Sequence, residues 1–169
     1  VIRCTPILRY LQAHHAGASI VWITEFPELI PDGWVDTVLK PSWQAAELVR
    51  AQAWDLVLSL DKDAVPCALA KQTQAARLKG FTLDDMGRIV PADADSARKW
   101  QTGIFDDQMK ACTRHYVEEI FELCGWEFSG ERYVLPEPRP TSFIPPQGRG
   151  PIIGLNTGAG RIWPTRIWP

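Results

Sequence analysis

Apolar and polar positions along the chain change period several times, and each change marks an element. Thr5-Pro6 predicts a helix start, with an N-cap hydroxyl followed by proline at the first helical position, and Ile7, Leu8 and Leu11 form its apolar stripe before Gly17 stops it. Ser19 to Thr24 is continuous and β-branched, which predicts a strand buried on both faces. Val35 to Leu39 predicts a shorter strand. Ser42 predicts a cap for a helix with Ala45, Ala46 and Val49 on one side. Leu56 to Leu60 predicts another buried strand running into Asp61-Lys62-Asp63, with Asp63 capping the next helix and Pro66 confined to its first turn. Ala76 to Phe81 predicts a weaker strand.

From Thr82 to Ala97 the pattern is irregular and acidic. One helix is expected from Asp106 to Cys124, with Met109, Cys112, Tyr116, Val117, Ile120 and Cys124 on one face and Gly125 as its stop. Tyr133 to Leu135 predicts a short strand. The prolines from Pro136 to Pro146 predict a semi-rigid linker, and Pro136 to Pro140 also reads, less simply, as a polyproline ligand for a partner. Beyond them Ile152 to Leu155 is an apolar run feeding Asn156-Thr157-Gly158-Ala159-Gly160. Strands alternate with helices and hairpin turns are few, so the expected class is α/β: a parallel sheet over residues 18–135, covered by helices on both faces, with strand ends near Thr24 and Asp61 lining one rim. The repeated Arg-Ile-Trp-Pro at Arg161 and Arg166 is too short for a repeat architecture.

Composition narrows the function classes. A chain of 169 residues with 46% apolar and 22% charged residues fits one ordinary core plus an appendage. A net charge of −2 with interspersed signs gives no footprint for nucleic acid. No apolar run is long enough to cross a bilayer and no signal peptide opens the chain. Cys4, Cys67, Cys112 and Cys124 form no CxxC pair and read as buried or free thiols of a reducing compartment, so a cytoplasmic location is expected. His14, His15 and His115 have no metal-ligand spacing, and no metal is expected.

Three stretches fall where open α/β sheets bind ligands, beyond the carboxyl ends of strands. Val1 to Thr5 enters a helix N-terminus. Asp61-Lys62-Asp63 reads first as a helix cap with solvated neighbours, and it also offers carboxylate acceptors and an ammonium donor to a polyhydroxylated ligand. Asn156 to Gly160 reads on motif alone first as a glycine-rich turn after a strand, and it also offers close backbone amides to a phosphate, with Arg166 as a counter-charge. Arg77 and Lys79 suit an anionic substrate or a solvated strand edge.

VIRCTPILRYLQAHHAGASIVWIT at the start, WDLVLSLDKD from Trp54 to Asp63, RLKGF from Arg77 to Phe81 and GLNTGAG with its tryptophan-proline tail together resemble glycosyltransferase family 9, the ADP-heptose:lipopolysaccharide heptosyltransferases. The resemblance covers nearly the whole chain. It implies a Rossmann-like parallel sheet as the N-terminal half of a GT-B fold. Residues 1–135 would then be the acceptor-binding domain without its first strand, 136–150 the linker, and 151–169 the start of the nucleotide-sugar domain. It implies transfer of heptose or a related sugar, with inversion, from an ADP-sugar to a lipopolysaccharide core acceptor, with no further cofactor. Thr5, Asp61, Lys62 and Lys79 would be acceptor-binding, and Asn156, Thr157, Gly158, Gly160 and Arg166 donor-binding. The family's general base, an aspartate, would precede Val1, so the chain as given is expected to be a fragment without turnover. Peripheral contact with the inner face of the bacterial inner membrane would follow from a lipid-anchored acceptor. The tail departs from the family, which often has lysine at the position of Arg166 and serine-arginine at Arg161-Ile162. The competing classes are a dinucleotide-dependent oxidoreductase and a non-catalytic sugar-binding or scaffold module.

Overall fold

A computed structural model describes residues 1–138, 150 and 151, and Val1–Glu137 make up one compact unit. The unit is mixed α/β. After a 3-10 turn at Ile2–Cys4 come α1 (Pro6–His14), β1 (Val21–Ile23), β2 (Thr37–Leu39), α2 (Trp43–Arg50), β3 (Ala53–Trp54) and β4 (Val57–Ser59). These are followed by α3 (Ala64–Gln72), β5 (Gln74–Ala75), β6 (Leu78–Leu83), β7 (Ile89–Pro91), α4 (Ala94–Thr102), α5 (Asp106–Ala111) and α6 (Tyr116–Leu123). Three of the four strand pairings among the described residues are parallel: β1 with β2, β3 with β5, and β4 with β6. The fourth, β6 with β7, is an antiparallel hairpin. Among the described residues the ladders form three small sheets rather than one.

Local chemistry accounts for most boundaries. Ser42 caps α2 as expected, its Oγ accepting from the Ala45 amide at 3.1 Å, and Ala45 and Val49 are buried. Proline opens α1, but Thr5 is itself in helical conformation and does not cap. Its buried hydroxyl instead donates to the Ile2 carbonyl at 2.9 Å and accepts from the Val134 amide at 3.0 Å. That second bond explains why Tyr133 to Leu135 is not a strand: Val134 is buried, and its amide is bound to a side chain rather than to a ladder. Gly17 and Gly125 both take positive φ, where a left-handed residue ends a helix without strain.

Three other expectations are corrected. The strand at β1 spans only Val21–Ile23 and is half-buried, since among the described residues it pairs only with β2; β4 is likewise three residues long and only partly buried. Thr82 to Ala97 is not irregular. Asp84 organises a tight turn there, its Oδ1 accepting from the amides of Met86 and Arg88 at 2.9 Å and its Oδ2 from Arg88 Nε at 2.7 Å, while Gly87 sits at φ 75°. Asp93 then caps α4, accepting from the Ser96 amide at 3.0 Å. Finally, the single helix expected from Asp106 to Cys124 is two. Cys112 is extended, and His115 opens α6 with a capping box in which its ring nitrogen accepts from the Val117 amide and Glu118 accepts from the His115 amide. Val117, Ile120 and Cys124 are buried, but Met109 is 62% exposed because α5 buries nothing.

Two packed clusters hold the unit together. The first joins Ile7 of α1 to Val117, Ile120 and Phe121 of α6, with Trp22, Leu58 and Leu60 against them. The second joins Cys67, Phe81, Leu123 and Cys124, with Trp100 alongside. Leu58 and Leu60 touch both, so β4 runs through the centre and the residues that follow it emerge from the core.

Candidate functional site

The chain leaves β4 at Ser59 and crosses to α3 through Asp61-Lys62-Asp63. Asp61 is exposed and turns back on itself, its Oδ1 accepting from the Asp63 amide at 3.3 Å. Its carbonyl accepts from the Cys67 thiol at 3.4 Å. Asp63 is the backbone N-cap of α3, but its side chain makes no capping bond.

Lys62 points the other way. Its ammonium donates to the Lys99 carbonyl at 2.8 Å, in the last turn of α4, and lies 5.1 Å from the centre of the Phe81 ring. Gly103 leaves the space: a β-carbon there would collide with Lys62 Nζ. Burial pushes the Lys62 ammonium below the ordinary lysine range, with the Lys99 charge adding to the effect and Glu119 opposing it.

Lys99, whose carbonyl holds Lys62, has partners of its own. Lys99 Nζ is 2.6 Å from Glu119 Oε2 and 4.5 Å from the Tyr116 ring centre, and Arg3 lies 4.7 Å from the same ring. Cys112 donates to the other Glu119 oxygen at 3.7 Å. Glu119 is only 9% exposed, and both of its oxygens are engaged. Cys4 lies close enough to Asp61 to feel its charge; burial first, then that carboxylate, hold the Cys4 thiol above its ordinary value. All four cysteines are free.

The acceptor candidates therefore divide. Asp61 and Lys62 stand together at the carboxyl end of β4. Thr5 is fully buried with its hydroxyl bonded at both lone pair and proton. Lys79 sits at the opposite end of α4, 2.5 Å from both Asp93 Oδ2 and Asp95 Oδ2. A nine-residue helix at about 1.5 Å per residue separates it from Lys62. The donor candidates Asn156, Thr157, Gly158, Gly160 and Arg166, and the linker from residue 139 to 149, lie outside the described residues. Lys99, Glu119, Tyr116 and Gly103 were not legible as site neighbours: no spacing joins them, and the first turn of α4 lay in the stretch that reads as irregular.

The Lys79 cluster has its own consequence for pH. Burial pushes the Asp93 carboxyl up, but hydrogen bonds from Lys79 and Ser96 outweigh it and hold the pKa below the ordinary value. A depressed carboxyl stabilises the fold above its unfolded pKa of about 3.9, and that contribution is lost as pH falls through the folded value. Lys79→Met is expected to leave the half-buried Asp93 with less to hold it ionised, so acid unfolding should begin at higher pH than in the wild type. Circular dichroism followed from neutral pH to pH 2 checks this, and superimposable acid limbs would refute it.

Among the described residues no helix is long and apolar enough to cross a membrane, and no group of three histidine, cysteine or acidic side chains is arranged to hold a metal. Comparison of the chain with protein-family models, with characterised proteins and with solved structures gives no match.

Proposed function

We propose that this chain carries the acceptor-binding domain of a GT-B glycosyltransferase of the ADP-heptose type, with the rim at Asp61 and Lys62 holding the sugar acceptor. The observation that carries the reading is an exposed carboxylate, Asp61, and a fixed ammonium, Lys62, on the loop that leaves the carboxyl end of the parallel strand β4. That is the edge where open α/β sheets receive ligands. A carboxylate accepts from sugar hydroxyls and an ammonium donates to sugar oxygens, so the pair suits a polyhydroxylated molecule. The sequence resemblance adds the reaction: transfer of heptose or a related sugar from an ADP-linked donor to a lipopolysaccharide core, with residues 1–135 on the acceptor side and 151–169 beginning the donor side. In that reading Asn156 to Gly160 and Arg166 meet the diphosphate, and a lipid-anchored acceptor brings the protein to a membrane surface without a spanning helix.

Titrating the chain with a soluble lipopolysaccharide-core oligosaccharide while following backbone amides by NMR tests the assignment. The expected result is a set of shifts centred on Asp61, Lys62 and Asp63. Shifts absent from that rim, or a response there to a nicotinamide dinucleotide instead, would sink the transferase reading in favour of another class.

A further inference from the structure

Among the described residues β1 and β4 are each paired along one edge and open along the other. In the β1–β2 ladder alternate residues make the bonds: the Ile20 carbonyl accepts from the Thr37 amide, and the Thr24 amide donates to the Leu39 carbonyl. The backbone groups of Val21 and Ile23 therefore face the other way. In the β4–β6 ladder the Val57 amide donates to the Arg77 carbonyl, so Val57 and Ser59 face β6 while Leu58 and Leu60 face away from it. Among the described residues no backbone group pairs with the amides of Val21, Ile23, Leu58 or Leu60.

The two open edges border one gap. Trp22 of β1 and Leu58 and Leu60 after it in the chain pack against the same buried group of Ile7, Val117, Ile120 and Phe121, which covers one side. On the other side Ile23 lines a cavity of about 260 Å³ between α2 and α3, whose mainly apolar wall includes Ala45, Ala46, Val65 and Leu69. Val65 is 72% exposed in that wall. The cavity joins Ile23, the last residue of β1, to the first turn of α3, which follows β4, so both strands end at the same end of the gap and run parallel. Unpaired amides and carbonyls between apolar walls are costly, and what meets both rows at once is an extended backbone.

We propose that this gap is a docking slot for one extended peptide strand of a partner polypeptide, lying parallel to β1 and β4 and joining their two sheets into one. The partner segment is apolar at successive positions rather than alternate ones, because one face of it meets Ile7 and Phe121 and the other meets the cavity between α2 and α3. Affinity comes from two ladders of main-chain hydrogen bonds, and selection from the two apolar walls. The slot stands apart from the reading of the Asp61–Lys62 rim and holds whether or not that rim takes a saccharide.

Hydrogen exchange on the whole chain, read residue by residue by NMR, tests the slot. Without a partner, Val21, Ile23, Leu58 and Leu60 should exchange faster than their ladder-bonded neighbours Trp22, Thr24, Val57 and Ser59. The probe is a blocked hexapeptide in which two valines alternate with two isoleucines between terminal lysines. At about ten times its Kd it should slow the four open amides about tenfold, by mass action. The same peptide with its backbone amides methylated keeps the apolar surface, loses the donors and should protect nothing. Ile23→Pro removes an amide that faces the gap and spares the bonds of Trp22 and Thr24 to β2, so it should keep the melting temperature and abolish the peptide effect. Equal protection of both sets of amides in the peptide-free chain would mean that the gap is closed or already filled, and would overturn the proposal. So would a failure of the peptide to protect the open amides, or a peptide effect that survives Ile23→Pro. Protection by the methylated peptide is the behaviour of a mere apolar patch and would overturn it too, an arm that still decides if Ile23→Pro does not fold.

Discussion

Gly80→Ala should destabilise the unit by about 2–6 kcal/mol, enough to unfold a marginal domain. Gly80 lies inside β6 at φ 98°, a conformation open to glycine and costly for any residue with a β-carbon. It stands opposite Ser59 in the parallel ladder, and an added methyl would collide with the Ser59 carbonyl oxygen and come within 2.7 Å of the carbonyl carbon. Ser59 is strand backbone in the centre of the unit and has nowhere to retreat. The unusual turn of the chain has a purpose in the packing: it aims the Gly80 amide at Ser96 Oγ, 2.8 Å away, and the buried Ser96 hydroxyl in turn donates to Asp93 Oδ1 at 2.7 Å. The strand is thereby tied to the start of α4. Gly17→Ala serves as the control, since Gly17 has φ 84° but nothing within 4 Å of its would-be β-carbon, and it should cost only the conformational part, about 1–2 kcal/mol. Urea midpoints with matched slopes measure both. Equal losses at the two positions would show that the approach to Ser59 is not what matters.

Phe121→Ala should cost about 3–5 kcal/mol, which for a chain of this size lowers the melting temperature by roughly 10–15 °C. Phe121 is completely buried on α6. Its ring meets Phe128 at 5.2 Å and 70°, Tyr10 at 5.9 Å and 88°, and Trp126 at 6.3 Å and 72°, all edge-on arrangements that aromatic quadrupoles favour. Removing it takes the shared partner from α1, from α6 and from the segment after Gly125 at once, and the stacked Tyr10–Trp126 pair, 4.2 Å apart, loses the wall it leans on. Phe121→Leu keeps most of the volume and should lose less than half as much. Calorimetry on the two variants decides the matter: similar small shifts in both would mean that the site collapses around the gap and the ring is not a keystone.

The residues immediately before and after each turn were the most legible part of the chain. Ser42 capping α2, Pro6 opening α1 and Gly125 closing α6 are local events, set by a hydroxyl, a fixed φ or a missing β-carbon within a few residues, and they read straight off the sequence. So did the alternation of apolar runs that yields parallel pairs. Elements whose signals are local but less familiar were misread for identifiable reasons. The Asp84–Arg88 turn is made by a carboxylate wrapped by its own neighbours, and a histidine opens α6 in a place more often taken by serine or threonine.

The candidate site divides along the same line. Asp61 and Lys62 were legible because both belong to one loop after one strand. What surrounds Lys62 was not: the Lys99 carbonyl is 37 residues away along the chain, and Glu119 reaches Lys99 across 20 more. Likewise Thr5 looked like a helix cap until Val134, 129 residues distant, arrived to take its hydroxyl. By itself the sequence determined the start of α1 at Pro6, the start of α2 at Ser42 and the end of α6 at Gly125, because such prolines, caps and glycines act through bonds that span a turn of backbone. Only the tertiary structure decided which polar groups among the described residues find partners, because that depends on which distant carbonyls and carboxylates packing brings within three ångströms or so.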